Sequence, residues 1–266
     1  MKAVKKNMEI KREAIRENYS SVAKGSSSGC CGGSSCCSSS ADPKEISKLL
    51  GYSEDDLDMI PSGSNMGLGC GNPIEIARIQ KGETVLDLGS GGGFDCFLAS
   101  RFTGSEGHVI GVDMTPDMVS LARRCADEEG YENVEFRLGE IERLPVADSS
   151  VDVIISNCVL NLSLDKAQVF KDAYRVLRPG GRLAISDVAA TCELPEEIKN
   201  DLSMISACIG GAIHYKELGK LIRKAGFDEV RLRAKKNSKD IVRDWAPGIS
   251  PEDYIASFYI QAVKPV

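Results

Sequence analysis

What the chain lacks narrows its possibilities first. In 266 residues no apolar run approaches the roughly 20 residues that a bilayer-spanning helix needs, so no membrane partner is expected. Residues 1–24 are charged and mixed, without the apolar core of a secretory signal, and a cytoplasmic location is expected. A surplus of positive charge is missing too. Lys and Arg number 33 against 39 Asp and Glu, a net charge of −6, whereas phosphate backbones attract basic surfaces; no nucleic-acid partner is expected. The one basic stretch, residues 231–239, reads as a solvated surface. Histidine is scarce, with two residues, and only His214 falls near the expected ligand-bearing end, since His108 starts a strand. This weighs mildly against an acceptor that must be deprotonated by imidazole, although a carboxylate or tyrosine can do that work. No internal repeat is visible.

Cysteine, by contrast, is abundant at ten residues. Reducing compartments keep thiols free, so thiol chemistry or metal binding is expected rather than structural disulfides. Four of the ten, Cys30, Cys31, Cys36 and Cys37, lie in a Ser/Gly/Cys tract without periodic apolar residues, which is expected to be flexible. Their C-C-x4-C-C spacing matches the paired C-x2-C zinc pattern poorly, though a tetrahedral zinc site stays open.

The pattern of elements predicts an α/β fold. An amphipathic helix is expected over 1–24 with Ile10, Ala14 and Tyr19 on its inner face. Asp42-Pro43 reads as an N-cap and first helical position, with Glu45 completing a capping box, and Ser53 opens a second short helix. From there strands at 84–88, 108–113, 134–138, 151–156 and 182–188 alternate with helices, the one after Thr115-Pro116 marked by Met118, Leu121, Ala122 and Cys125 at i, i+3, i+4, i+7. Such alternation implies a Rossmann-like, parallel sheet with helices on both faces. Helices at 196–209 and 215–225 and strands at 230–233 and 254–263 complete a smaller α+β segment. The expected organisation is an N-terminal arm over 1–65, a cofactor domain over 66–190 and an acceptor-covering segment over 191–266.

The strongest local signal is the strand Val85-Leu-Asp-Leu running into Gly89-Ser-Gly-Gly-Gly93 and then a helix. Glycines there permit a sharp turn and a close approach of ligand to main chain, and the helix start can receive a negative group. Asp113 ends the next strand, where a carboxylate can accept ribose hydroxyls. A dinucleotide fits poorly, because the sixth position of its fingerprint, normally Gly or Ala, is Phe94. These residues resemble class I S-adenosylmethionine methyltransferases. Asp87, Gly89, Gly91 and Gly93 match that family's first motif. The resemblance further implies Asp113 on the ribose, Met114 against the adenine, Glu140 and Ile141 at the adenine edge, and Asn157 near the methionine portion.

Cys70 lies in a glycine-rich loop before the first strand, Cys158 follows the fourth strand, and Cys208 lies beside Gly210-Gly211 after the fifth. Ligands in open α/β sheets bind at carboxyl ends of strands, so all three can converge there, and three thiolates suit a soft ion. Cys96 and Cys125, on apolar helical faces, read as small buried hydrophobes, and Cys192 is undecided. The segments Gly-Leu-Gly-Cys70-Gly-Asn-Pro, Ser-Asn-Cys158-Val-Leu-Asn-Leu-Ser and Ala-Cys208-Ile-Gly-Gly-Ala, with Phe94-Asp-Cys-Phe, resemble arsenite methyltransferases over residues 52–216. That resemblance implies methyl transfer from S-adenosylmethionine to trivalent arsenic held by Cys70, Cys158 and Cys208. It implies an arsenic–thiol adduct as substrate, a small thiol or thioredoxin-type reductant, and arsenic delivery or redox work by the N-terminal cysteines. The rivals are a methyltransferase for a small organic acceptor such as a quinone, indifferent to the three cysteines, and a thiol-based metalloid sensor or scavenger without turnover.

Overall fold

Short apolar runs alternate with amphipathic ones along the middle of the chain, and the strands they form collect in one sheet. The computed structural model describes residues 2–25, 42–61, 63–246 and 248–266; Cys30, Cys31, Cys36 and Cys37 lie outside them. The strands are β1 (Thr84–Leu88), β2 (His108–Asp113), β3 (Val134–Leu138), β4 (Val151–Asn157), β5 (Leu177–Ala190), β6 (Asp228–Ala234) and β7 (Ile255–Val263). Their order is β3-β2-β1-β4-β5-β7-β6. β1 to β5 are parallel, as expected; β7 runs antiparallel between β5 and β6, so the C-terminal strands extend the same sheet and make it mixed. Within β5, residues 178–181 loop out of the ladder, since Val151 pairs with Leu177 but Val153 with Arg182. Chain order reverses between β1 and β4, which places the loops after these two strands on either side of a crevice.

The helices are α1 (Lys2–Ala23), α2 (Pro43–Leu50), α3 (Glu54–Asp58), α4 (Pro73–Ala77), α5 (Phe94–Thr103), α6 (Pro116–Glu129), α7 (Lys166–Val176), α8 (Glu196–Asn200), α9 (Leu202–Ser206), α10 (Tyr215–Lys224) and α11 (Ser238–Val242). Because alternate strand residues face opposite ways, the sheet feeds two cores. Val85, Val109 and Val153 pack with Phe97 of α5 and Ala122 of α6. Leu86, Ile110 and Ile154 pack with Phe170 of α7 and Ile222 of α10. Phe97 and Phe170 are fully enclosed, each contributing about 2–3 kcal/mol through burial. A third cluster joins Leu50 of α2, Leu57 of α3, Ile198 of α8, Val242 of α11 and the cysteines 70, 158 and 208.

Three local expectations are corrected. Asp42 caps α2 by accepting from Lys44 N; the reciprocal capping box sits one helix later, between Ser53 and Asp56. The 196–209 segment is two five-residue helices, not one, because the Asp201 carboxylate accepts from Ser203 N and Met204 N and starts a new helix. In α1, among the side chains described, Ile15 is enclosed while Ile10 is exposed. Charge pairing sets this rotation: Arg12 and Arg16 reach Glu140, and Lys24 reaches Asp117, so the face through 12, 16, 20 and 24 turns inward. Among the described residues no helix is long and apolar enough to cross a membrane.

Candidate active site

The loop after β1 turns through left-handed backbone at Gly89 (φ 72°), Gly91 (φ 52°) and Gly93 (φ 92°). Gly89 N and Ser90 N both donate to Val112 O, at 2.8 and 3.1 Å, which ties the loop to β2. Asp113, at the end of β2, accepts from Gly91 N at 3.0 Å and from Thr115 N at 2.8 Å. The two residues singled out from the sequence as loop and ribose ligand are thus directly joined. Burial raises the Asp113 carboxyl, partly offset by those two N–H donors. Met114 is half-buried, Ile141 is buried in the sheet core, and Glu140 is engaged by Arg16 of α1 at 2.8 Å.

Beside the loop lies a buried polar network that joins Asn157, expected from the sequence, to Asp95 and Tyr52, to which the sequence assigned no role. Tyr52 Oη donates to Asp95 Oδ1 at 2.7 Å. Asn157, at the end of β4, joins it through Nδ2, which reaches Tyr52 Oη at 3.0 Å, Asp95 Oδ2 at 3.2 Å and Gly71 O at 2.8 Å. Its Oδ1 accepts from Cys70 N at 3.0 Å, so one amide links the cofactor loop to the Cys70 loop. Asp87 accepts from the Cys96 thiol at 3.3 Å. Cys96 is buried, as an apolar helical position suggests, yet its sulfur faces a motif carboxylate. Burial pushes Asp95 up to about 6, against hydrogen bonds from Tyr52 and Asn157 that pull it down. Burial and then the charge of Asp95 push Asp87 well above the usual carboxylate range. Asp95 lies in the Phe94-Asp-Cys-Phe segment of the resemblance but carries no assigned role there, and neither does Tyr52.

These features fit S-adenosylmethionine. Asp87 and Asp95 are enclosed carboxylates whose hydrogen-bonding partners are neutral, suited to a cationic ligand. The buried Ser90 Oγ has no hydrogen-bond partner among the described residues. A Cβ built on Gly91 would meet nothing within 4 Å, so the main chain there is open to a ligand.

Across the crevice, Cys70, Cys158 and Cys208 come together although 88 and 50 residues separate them (70 to 158, 158 to 208); all three are buried and unpaired. The Sγ atoms of Cys70 and Cys158 and a carboxylate oxygen of Asp187 lie within 4.8 Å of one another. Cys208 is not part of that trio; its thiol donates to Cys158 O at 3.0 Å. Cys158 sits between its two neighbours, and side-chain hydrogen bonding with Cys208, then with Cys70, then burial, raises its thiol well above the ordinary value. Burial raises Cys70, while its contact with Cys158 lowers it. Cys158 (φ 58°) and Cys208 (φ 63°) both have left-handed backbone, unusual for residues with a Cβ and typical of functional sites. Asp187, fully buried, is pushed up to about 6 by burial, against backbone N–H donors and the nearby Lys166 charge.

The remaining candidates lie apart. Cys125 is buried in the α6 core, and Cys192 is exposed with its thiol on Asp253 O at 3.4 Å. His214 caps α10, accepting from Lys216 N at 3.2 Å and stacking on Tyr215. His108 pairs with Glu135 at 2.8 Å at the start of β2, the end of the strand remote from the glycine loop.

A glycine cradle at the β1/β4 switch point with an acid after β2 defines a class I methyltransferase site, and comparison agrees: residues 79–226 match the methyltransferase domain family. An arsenite methyltransferase of Halobacterium salinarum is 51% identical over 219 residues, 82% of this chain and 56% of that protein. The human arsenite methyltransferase is 44% identical over 173 residues, 62% of this chain and 46% of that protein. The crystal structure of an arsenic(III) S-adenosylmethionine methyltransferase from Chlamydomonas reinhardtii superposes with a TM-score of 0.62 at 34% identity, covering 85% of this chain and 75% of that one. The chain belongs to the S-adenosylmethionine-dependent methyltransferases, and within them to the arsenite methyltransferase family. It spans about half the length of the curated relatives it matches.

Proposed function

We propose that this chain methylates trivalent arsenic held by the thiolates of Cys70, Cys158 and Cys208. The observation that carries the reading is that these three cysteines, from three distant segments, share one buried cluster, with the Cys70 and Cys158 sulfurs within 4.8 Å of each other and the Cys208 thiol on Cys158 O at 3.0 Å. Soft thiolates select a thiophilic ion over hard cations.

Each residue then has a task. The raised Cys70 and Cys158 thiols carry their protons at neutral pH, so binding must expel them. An arsenic–thiol adduct supplies the exchange: each protein sulfur forms an As–S bond, and each departing thiolate leaves with the proton. Cys208 must swing its sulfur from Cys158 O toward arsenic, giving up one hydrogen bond. Arsenic in a three-sulfur site retains a lone pair, so its attack on a methyl carbon needs no general base, consistent with the distant His108 and capped His214. When bound, S-adenosylmethionine supplies the electrophilic methyl group, and Asp87, Gly89, Gly91, Gly93, Asp113, Met114, Glu140, Ile141 and Asn157 would hold it. Asn157 sets the Cys70 loop against the cofactor side, which is the positioning an in-line displacement requires. Attack raises arsenic from the trivalent to the pentavalent state, so repeated turnover needs a two-electron reductant, a small thiol or a thioredoxin-type dithiol.

The test is product analysis with purified protein, S-adenosylmethionine, arsenite and excess thiol. Methylarsenicals are expected, and Cys70→Ser, Cys158→Ser and Cys208→Ser should each cut their formation at least ~100-fold, because the lone pair is no longer held in line. Absence of methylarsenicals from protein that binds the cofactor would sink the arsenic reading in favour of an organic acceptor; arsenite binding without turnover would favour a scavenger.

A further inference from the structure

The turns that bear Cys158 and Cys208 meet through two residues with no role so far. Asp187 lies on β5, fully buried, and its two carboxylate oxygens take four donors. Oδ2 accepts from Val159 N at 3.0 Å and Leu160 N at 2.8 Å, the two amides that follow Cys158. Oδ1 accepts from Val188 N at 2.7 Å and Asn161 Nδ2 at 3.3 Å. With Cys158 N donating to Ser186 O at 2.9 Å, the left-handed Cys158 turn is held on both sides.

Asn161 carries the connection onward. Its buried Nδ2 also reaches Val188 O at 2.7 Å and Cys208 O at 3.1 Å, so two hydrogens serve three acceptors and one is shared. The loop beyond Cys208 presses on the same residue: a Cβ on Gly211 would lie 2.0 Å from Asn161 O. The segment leading into Cys208 is two five-residue helices, too short to hold a position unaided. Apolar packing through Ile205 and Ile209 buries the segment, and the Asn161 contact is the side-chain hydrogen bond that joins its Cys208 carbonyl to the turn after β4.

We propose that Asn161, seated on Asp187, is a positioning residue that fixes the Cys208 sulfur relative to Cys158 so that both can hold one arsenic atom. The proposal rests on the three-thiol reading above. It predicts a dissection by thiol demand. Arsenite uses three thiols, whereas phenylarsine oxide, with one position taken by the ring, uses two; once Cys208 is replaced, that pair is Cys70 and Cys158, whose sulfurs lie within 4.8 Å of each other.

The experiment measures binding of both arsenicals, and of S-adenosylmethionine, to wild type, Asn161→Ala, the near-isosteric Asn161→Leu, Cys208→Ser and the Asn161→Ala/Cys208→Ser double variant. Either Asn161 variant should bind arsenite roughly ten- to a hundredfold more weakly, the scale of one buried hydrogen-bonding group lost. In the Cys208→Ser background, adding Asn161→Ala should leave phenylarsine oxide binding within about twofold, and cofactor binding should stay within about twofold in every variant, a change below the ~1.4 kcal/mol of a tenfold effect. The double variant should bind arsenite no worse than Cys208→Ser. If Asn161→Ala does not fold, Asn161→Leu gives the same reading without a large cavity. Unchanged arsenite affinity in the Asn161 variants, or a further loss of either arsenical when Asn161→Ala is added to Cys208→Ser, would overturn the positioning role. Wild type that binds no arsenite, or Cys208→Ser that binds it as wild type does, would instead remove the three-thiol reading itself, and this proposal with it.

Discussion

The two walls of the crevice adopt the same backbone conformation with different residues. The cofactor wall is left-handed at Gly89, Gly91 and Gly93; the thiol wall is left-handed at Cys158 and Cys208. For glycine that conformation has no steric penalty, whereas a residue with a Cβ gives up about 1–2 kcal/mol. The difference follows from what each wall presents. A glycine loop offers main-chain groups and open space. On the proposed function the opposite wall must offer sulfur, so the side chain cannot be dispensed with, and the hydrogen bonds of Asp187 and Asn161 act against the penalty. Where chemistry needs no side chain, composition shapes the turn; where it does, tertiary contacts must.

That contrast can be broken most severely at Gly93. A methyl there would lie 2.7 Å from both the Phe136 and Phe97 rings at a φ of 92°, so Gly93→Ala should lose about 3 kcal/mol or more in denaturant unfolding. Gly91→Ala, with open space around its Cβ, should lose only about 1 kcal/mol, the backbone part alone. Equal losses would mean that packing does not distinguish the two glycines.

A smaller effect tests the charge of the cofactor wall. The folded-state value of Asp95 is raised from 3.8 to about 6, so the folded protein binds this proton more tightly than the unfolded chain. The resulting stabilisation is full below about pH 4 and disappears as pH rises through about 6. Around Asp95 stand Tyr52, Asn157 and the like-charged Asp87, which shifts in the same direction. Wild type should therefore lose about 2 kcal/mol relative to Asp95→Asn between pH 4 and 7, seen in melts across that range. A constant difference would show that burial does not govern this carboxyl.

The smallest effect sharpens the comparison at the thiol wall. Cys158→Gly should be about 1 kcal/mol more stable than Cys158→Ala, because both lose the thiol and only glycine is relaxed at a φ of 58°. Alanine as stable as glycine would mean the turn carries no strain for the Asp187 network to offset.

Much of the frame was readable before any coordinates. The parallel strands and the helices between them follow from apolar periodicity, and the Gly89–Asp113 pairing from glycines and an acid at strand ends, which are local signals. Other parts were not readable for physical reasons. The burial of Ile15 instead of Ile10 depends on acids at 117 and 140, far along the chain. The break at Asp201 turns on a side chain capping its own backbone in preference to continuing a helix. Tyr52 and Asp187 carry no motif, because a buried partner is defined by what surrounds it.

The sequence by itself thus determined the methyltransferase frame, the cofactor loop and the identity of three thiols that can be grouped by context. Only the tertiary structure decided that Cys208 points at Cys158 O, that Asp187 joins Cys70 and Cys158 within 4.8 Å, that Asn157 ties the Cys70 loop to Asp95 and Tyr52, and that Asn161 joins the Cys158 and Cys208 turns. The reason is range: turn chemistry and periodicity act over a few residues, whereas a sulfur's position depends on segments 50 and more residues apart meeting through hydrogen bonds that no local pattern records.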